Sequence, residues 1–164
     1  TDAYVVLIPV VVMAAGQLAG GLAWLTISGE DAPDLVASAP ITGIGVLRAK
    51  IEAVIGAIAL VFAPMVLALG LNSPFAALVC GLGVLASAAA ATWVQLCFRV
   101  QAKRSQFRRR QTSSRMATFA EAFSSIAWAA TAALAAAETW SALGPAAIGA
   151  GILVGVWMIG PRQA

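Results

Sequence analysis

Acidic residues are scarce in this chain, and their placement limits the chemistry it can do. Glu30, Asp31 and Asp34 fall within five residues in the stretch GEDAPDLVASAP, residues 29–40. Clustered carboxylates hold a hard metal ion, or share general acid–base work, when a further ligand or a nucleophile joins them from elsewhere. The sequence offers no second acidic cluster to complete such a site, and it contains no histidine. The trio also has a simpler reading as a helix start. Asp31 caps, Pro33 is tolerated in the first turn, and Asp34 sits against the positive end of the helix dipole. Leu35, Val36 and Ala39 give that helix an apolar side, and Pro40 stops it, because the residue before a proline avoids helical geometry. The expectation is a short interfacial helix over residues 31–40.

Glu121 is a different case, because it lies inside an apolar run. A carboxylate within a membrane marks an ion or substrate pathway by default. The structural alternative is a local pair with a basic residue near the start of its helix, for which Arg115 is a candidate at imperfect spacing. Glu52, close to Arg48 and Lys50, reads as interfacial and solvated. Cys80 and Cys97, if on one helix, are separated by about 26 Å of rise and cannot bond to each other. They read as small apolar packing residues.

The elements that must carry these residues follow from composition. Of 164 residues, 61% are hydrophobic and 10% charged, and the mean hydropathy is +0.91. This is the composition of a polytopic membrane protein, all-α, rather than of a soluble domain. Apolar runs long enough to span a bilayer occur over residues 4–27, 51–71, 74–98, 116–137 and 140–159. The first has no basic n-region before it and no clear cleavage site after it, so it reads as a span and not as a signal peptide. Asn72-Ser73-Pro74 reads as a tight turn between antiparallel helices.

Five alternating spans put every basic residue on one side. Arg48 and Lys50 precede the second span. Arg99, Lys103, Arg104, Arg108, Arg109, Arg110 and Arg115 lie between the third and fourth, in a basic loop over residues 99–115. Arg162 follows the fifth. The positive-inside rule then predicts an outer N-terminus and a cytoplasmic C-terminus. Trp24, Trp93, Trp157 and Trp140 fall near span ends, as interface anchors do, whereas Trp128 is mid-span. The loop over residues 28–50, with its short helix, is on this topology cytoplasmic.

The run EDAPDLVASAPITGIGVLRAK, residues 30–50, resembles the first cytoplasmic loop of permeases in the type-2 ABC exporter family. Members show an acidic residue, a short apolar stretch, Ser-(Ala/Pro)-Pro, a small loop and a basic residue opening the next span. Asp34-Leu35-Val36-Ala37-Ser38-Ala39-Pro40 and Arg48-Ala49-Lys50 match that outline. The resemblance implies a coupling helix at residues 31–40, with Asp31, Asp34, Leu35, Val36, Ser38 and Pro40 facing a cytoplasmic ATPase subunit, and Arg48 and Lys50 as anchors at the headgroups. It implies a second permease copy or homologous half as a further partner, a bacterial cytoplasmic membrane, and ATP with magnesium on the ATPase and none in this chain. It also implies six spans, of which these are the second to sixth, in keeping with a start at Thr1 and not Met. Where the family has an extended extracellular region before its last span, this chain offers only the short segment 138–145.

Other features fit general roles. The basic loop suits anionic headgroups or an acidic partner surface, each charge contributing about 1 kcal/mol near an anionic leaflet. Tethered at a membrane and carrying only Phe107 as an aromatic, it does not suit nucleic acid. The glycine-containing run 43–50 lacks the Gly-Lys-Ser/Thr ending of a phosphate-binding loop. Gly16-x-x-x-Gly20 and Gly151-x-x-x-Gly155 have the spacing that lets spans pack closely, within a chain or between subunits. Pro64 is a candidate kink. The competing functions are a non-catalytic accessory or scaffold subunit and a lipid-modifying membrane enzyme.

Overall fold

The computed structural model describes residues 2–28, 42–98 and 115–159. They form five α-helices: α1 (Asp2–Ser28), α2 (Gly43–Asn72), α3 (Pro74–Cys97), α4 (Arg115–Ala136) and α5 (Leu143–Ile159), the last preceded by a single 3-10 turn at Trp140–Ala142. Among the described residues there is no strand, and five helices are long and apolar enough to cross a membrane. The chain is therefore a helical bundle of a kind that fits a membrane protein. The interfacial helix expected over residues 31–40 lies outside the described residues.

Helix limits follow from local chemistry. Thr42 caps α2, its hydroxyl accepting from Gly45 N at 3.3 Å. Ser73 ends α2 and begins α3 at once. Its N–H donates to Leu69 O at 2.8 Å, its hydroxyl accepts from Ala76 N at 3.2 Å, and Pro74 follows at the first helical position. Both α1 and α2 continue through an internal proline, Pro9 and Pro64.

Helices α1, α3 and α4 pack on one another and form the centre. Helix α2 lies against α3 and α1, and α5 against α4, with slight contact to α3. The buried positions on α1 are Ile8, Val11, Val12, Ala15, Ala19 and Ala23, a face with helical spacing. They meet Cys80, Val84, Ala88 and Ala91 of α3, and Ala129 and Ala132 of α4. Small side chains thus fill the inside, while Leu60, Leu67, Leu78, Leu82 and Phe119 face outward. That size distribution suits a bundle in lipid, where outward leucines cost nothing and small interior residues let backbones approach. Cys80 is buried, Cys97 half-buried, and both are free thiols on α3.

Candidate functional site

Three levels of contact set the register of the central helices. At the first, Gly83 of α3 faces Val12 of α1 and Ala132 of α4; a Cβ on residue 83 would stand 2.7 Å from Val12 Cγ2 and 3.3 Å from Ala132 Cβ. At the second, Gly16 of α1 faces the hydroxyls of Ser87 on α3 and Ser125 on α4. At the third, Gly20 of α1 lies under the carboxylate of Glu121 on α4, which accepts a hydrogen bond from Gln95 Nε2 of α3 at 2.9 Å. Numbers rise together on α1 and α3 and fall on α4. Helices α1 and α3 therefore run parallel to each other and antiparallel to α4.

The same order fixes which chain ends lie together. The Gln95–Glu121 level is near the C-termini of α1 and α3 and the N-terminus of α4. The Ser73 turn joins α2 to the far end of α3, so α2 begins at the Glu121 end. Val156 of α5 packs with Val94 and Ala117, which brings the C-terminus of α5 there too. Residues 29–41 and 99–114 both connect helices at this end, which is here termed the basic end because Arg48, Lys50 and Arg115 belong to it.

Polarity rises along the three levels toward the basic end. Val12, Gly83 and Ala132 are apolar, Gly16 with Ser87 and Ser125 adds hydroxyls, and Gly20 with Gln95 and Glu121 adds an amide and a carboxylate. Glu121 is only 9% exposed and Gln95 8%. Beside them is a partly open cleft of about 230 Å³, lined by Gln17, Gly20, Gly21, Trp24, Gln95, Thr118, Glu121 and Ala122. Burying a carboxylate among helices is tolerated where hydrogen bonds replace its water, and the Gln95 amide supplies one. The seam can hold water, a small polar molecule or the polar part of a larger one.

Of the residues singled out in the sequence, the structure places Glu121 in this seam together with Gly16, Gly20 and Trp24. Arg48 is exposed and its Nε donates to Glu52 Oε1 at 2.6 Å, one helical turn away; Lys50 is half-buried nearby. Arg115 opens α4. Asp31, Asp34, Leu35, Val36, Ser38 and Pro40, and the basic residues Arg99, Lys103, Arg104, Arg108, Arg109 and Arg110, lie outside the described residues. Gly16 and Gly20 serve packing within this chain, whereas Gly151 and Gly155 of α5 have nothing within 4 Å of a Cβ position. Gln95, Ser87 and Ser125 were not singled out. The signal was there in part: Ser87, Ala91 and Gln95 share one face of α3, and Thr118, Glu121 and Ser125 share one face of α4. Among the described residues, no three His, Cys, Asp or Glu side chains come together as a metal site would need.

Fold and seam together define an all-helical bundle of membrane-spanning type with a carboxylate-bearing cleft at its basic end. No family model, curated protein or solved structure matches this chain.

Proposed function

We propose that this chain is a membrane-spanning permease subunit of an ATP-driven exporter, in which residues 31–40 transmit the work of a separate cytoplasmic ATPase to the helices. The observation that carries this reading is the connection between α1 and α2. It bears the sequence DLVASAP, and it joins the end of α1 to the start of α2, both at the basic end of the bundle. The positive-inside rule makes that end cytoplasmic, in a bacterial inner membrane on the exporter resemblance, with the start of α1 outside. A push on the connection reaches α1 and α2 directly, and through α1 the Gly16 and Gly20 contacts with α3 and α4. Two packed arrangements of these helices would give the alternating states that transport needs. A second copy or homologous half completes the path, ATP and magnesium belong to the partner, and Arg48 and Lys50 hold the loop at the headgroups.

The test is contact. Single cysteines replace Asp34 and Ser38 in a chain freed of Cys80 and Cys97, any ABC-type ATPase encoded beside it is co-expressed, and site-specific crosslinks are sought with and without ATP. Nucleotide-dependent crosslinks are the expected result. Labelling from the cytoplasm without any ATPase crosslink would leave an accessory or scaffold subunit as the better reading. Labelling only from outside would overturn the orientation itself.

A further inference from the structure

Helix α5 leans on α4, where Gly149 faces the Trp128 indole and Ala127, and meets α3 near its own C-terminus, where Val156 packs with Val94 and Ala117. Trp93 and Trp157, the sequence neighbours of those two valines, stay outside this contact and are 42% and 58% exposed. Between the two helices is an open, apolar groove of about 400 Å³, lined by Trp93, Leu153, Val154 and Trp157. Leu153 is half-buried against the Val94 cluster, and Val154 is exposed. Trp93 and Trp157 lie within about one turn of Cys97 and Ile159, the last residues of their helices. That is the depth at which indoles sit between hydrocarbon and headgroups. The sequence turns basic at the same level. Arg99 follows soon after Cys97, Arg162 soon after Ile159, and α4 opens at Arg115, close to the buried Ala117. No acidic residue occurs in 99–115 or 160–164, whereas the link between α4 and α5 at the opposite end carries Glu138 and no basic residue.

We infer that this groove seats an anionic phospholipid, with one acyl chain against Leu153 and Val154 between the two indoles and the phosphate at the level where the sequence turns basic. The apolar lining asks for hydrocarbon, and the sign of the charge at the groove's end asks for a negative headgroup. The two parts do different work. Bulk lipid already surrounds a bundle in a bilayer, so an apolar groove by itself gains little from one lipid over another. The charge supplies the preference, and the groove fixes where the preferred lipid sits. A second copy of this chain suits the place less well. In a membrane both copies point the same way, so a partner packed across the groove would bring its own basic end against this one. The inference rests on the chain spanning a membrane and does not depend on an ATPase.

Lipids brominated on their acyl chains quench tryptophan by contact and so report which lipid lies beside a given indole. Chains that keep one tryptophan, with the others changed to phenylalanine, are reconstituted in vesicles of phosphatidylglycerol and phosphatidylcholine in equal parts, with bromine on one lipid or on the other. Trp140, 89% exposed at the opposite end, is the reference. The expected result is a preference for phosphatidylglycerol of roughly fivefold at Trp93 and Trp157, the worth of one basic residue beside an anionic leaflet, and none at Trp140. Val154→Phe, which fills the groove from an exposed position, should abolish the preference. Equal quenching by the two lipids at Trp93 and Trp157 would mean ordinary solvating lipid, and an equal preference at Trp140 would mean a property of the whole surface. A preference that survives Val154→Phe would show that the groove does not hold the lipid, and quenching by neither lipid would show the groove covered by protein, a second copy foremost. Each of these results overturns the inference. A second measurement keeps all the native tryptophans. The chain in mild detergent is offered both lipids equally, and mass spectrometry of the intact complex counts those retained. Retained phosphatidylglycerol that is lost in Val154→Phe is expected, and equal retention of the two lipids, or no effect of Val154→Phe, would overturn the inference as well.

Discussion

Oε1 of Glu121 occupies the place that a Cβ on Gly20 would take. Residue 20 is therefore a glycine because of a carboxylate on another helix. Gly20→Ala is expected to push the Glu121 side chain aside and break its bond to Gln95. The atoms displaced are the far end of a flexible side chain, so the cost is that of the hydrogen bond, about 1–3 kcal/mol, and not a collapse of the packing. Gly21→Ala is the control. Nothing lies within 4 Å of its Cβ position, so it should not lower stability. Thermal unfolding of the two variants in detergent distinguishes them, and equal midpoints would show that Glu121 does not depend on the gap at Gly20.

The Gln95–Glu121 bond joins α3 to α4. Gln95→Leu removes one donor from a buried carboxylate and is expected to destabilise by about 1–3 kcal/mol. Replacing both Gln95 and Glu121 with leucine should recover part of that loss, since the buried carboxylate left short of a donor is then gone as well. Glu121→Gln keeps an acceptor facing Gln95 and should be close to neutral for folding. A double-mutant cycle on unfolding free energy reads the coupling. A coupling of zero would mean that the two side chains, though in bonding contact, do not act together.

Gly83 tests the apolar level in the same way but with a harder neighbour. A Cβ there meets Val12 Cγ2 at 2.7 Å and Ala132 Cβ at 3.3 Å, atoms of short, stiff side chains on two helices. Gly83→Ala should therefore cost about 1–3 kcal/mol by overpacking. Val12→Ala in the same chain should restore much of it by removing the methyl in the way. Absence of rescue would place the strain elsewhere than in the α1–α3 contact.

What the sequence discloses about this fold, and what it withholds, divides along a physical line. Each span is written in a contiguous apolar run, and the turn at Ser73 in Asn-Ser-Pro, because both are local properties of the chain. Glu121 stands out because it is the one carboxylate inside a long apolar run. Its partner Gln95, 26 positions earlier, could not be named, since helical periodicity gives a face but not the neighbour that face meets. The serines at Gly16 escaped for the same reason. The Gly16-x-x-x-Gly20 spacing announced a close approach without saying whether the partner lay in this chain or in another.

The C-terminus of α4 shows a conflict that no local pattern announces. Glu138 has a φ of 57°, in the left-handed region. Its N–H donates to Ala135 O at 3.0 Å, and the next N–H, of Thr139, to Leu134 O at 3.1 Å. This pair of bonds is the Schellman closure of a helix, in which the left-handed position is usually glycine. Here it is glutamate, which also sets an exposed negative charge at the negative end of the helix dipole. Glu138→Gly removes both penalties and should stabilise the bundle by about 1 kcal/mol, the usual left-handed cost of an L-residue less the extra freedom of glycine in the unfolded chain. Glu138→Gln separates the two causes, because it removes the charge and keeps the backbone cost. A gain with glycine much larger than with glutamine assigns the penalty to the backbone. A gain with neither would mean that the closure of α4 is held by its neighbours in the 3-10 turn rather than by the conformation of residue 138.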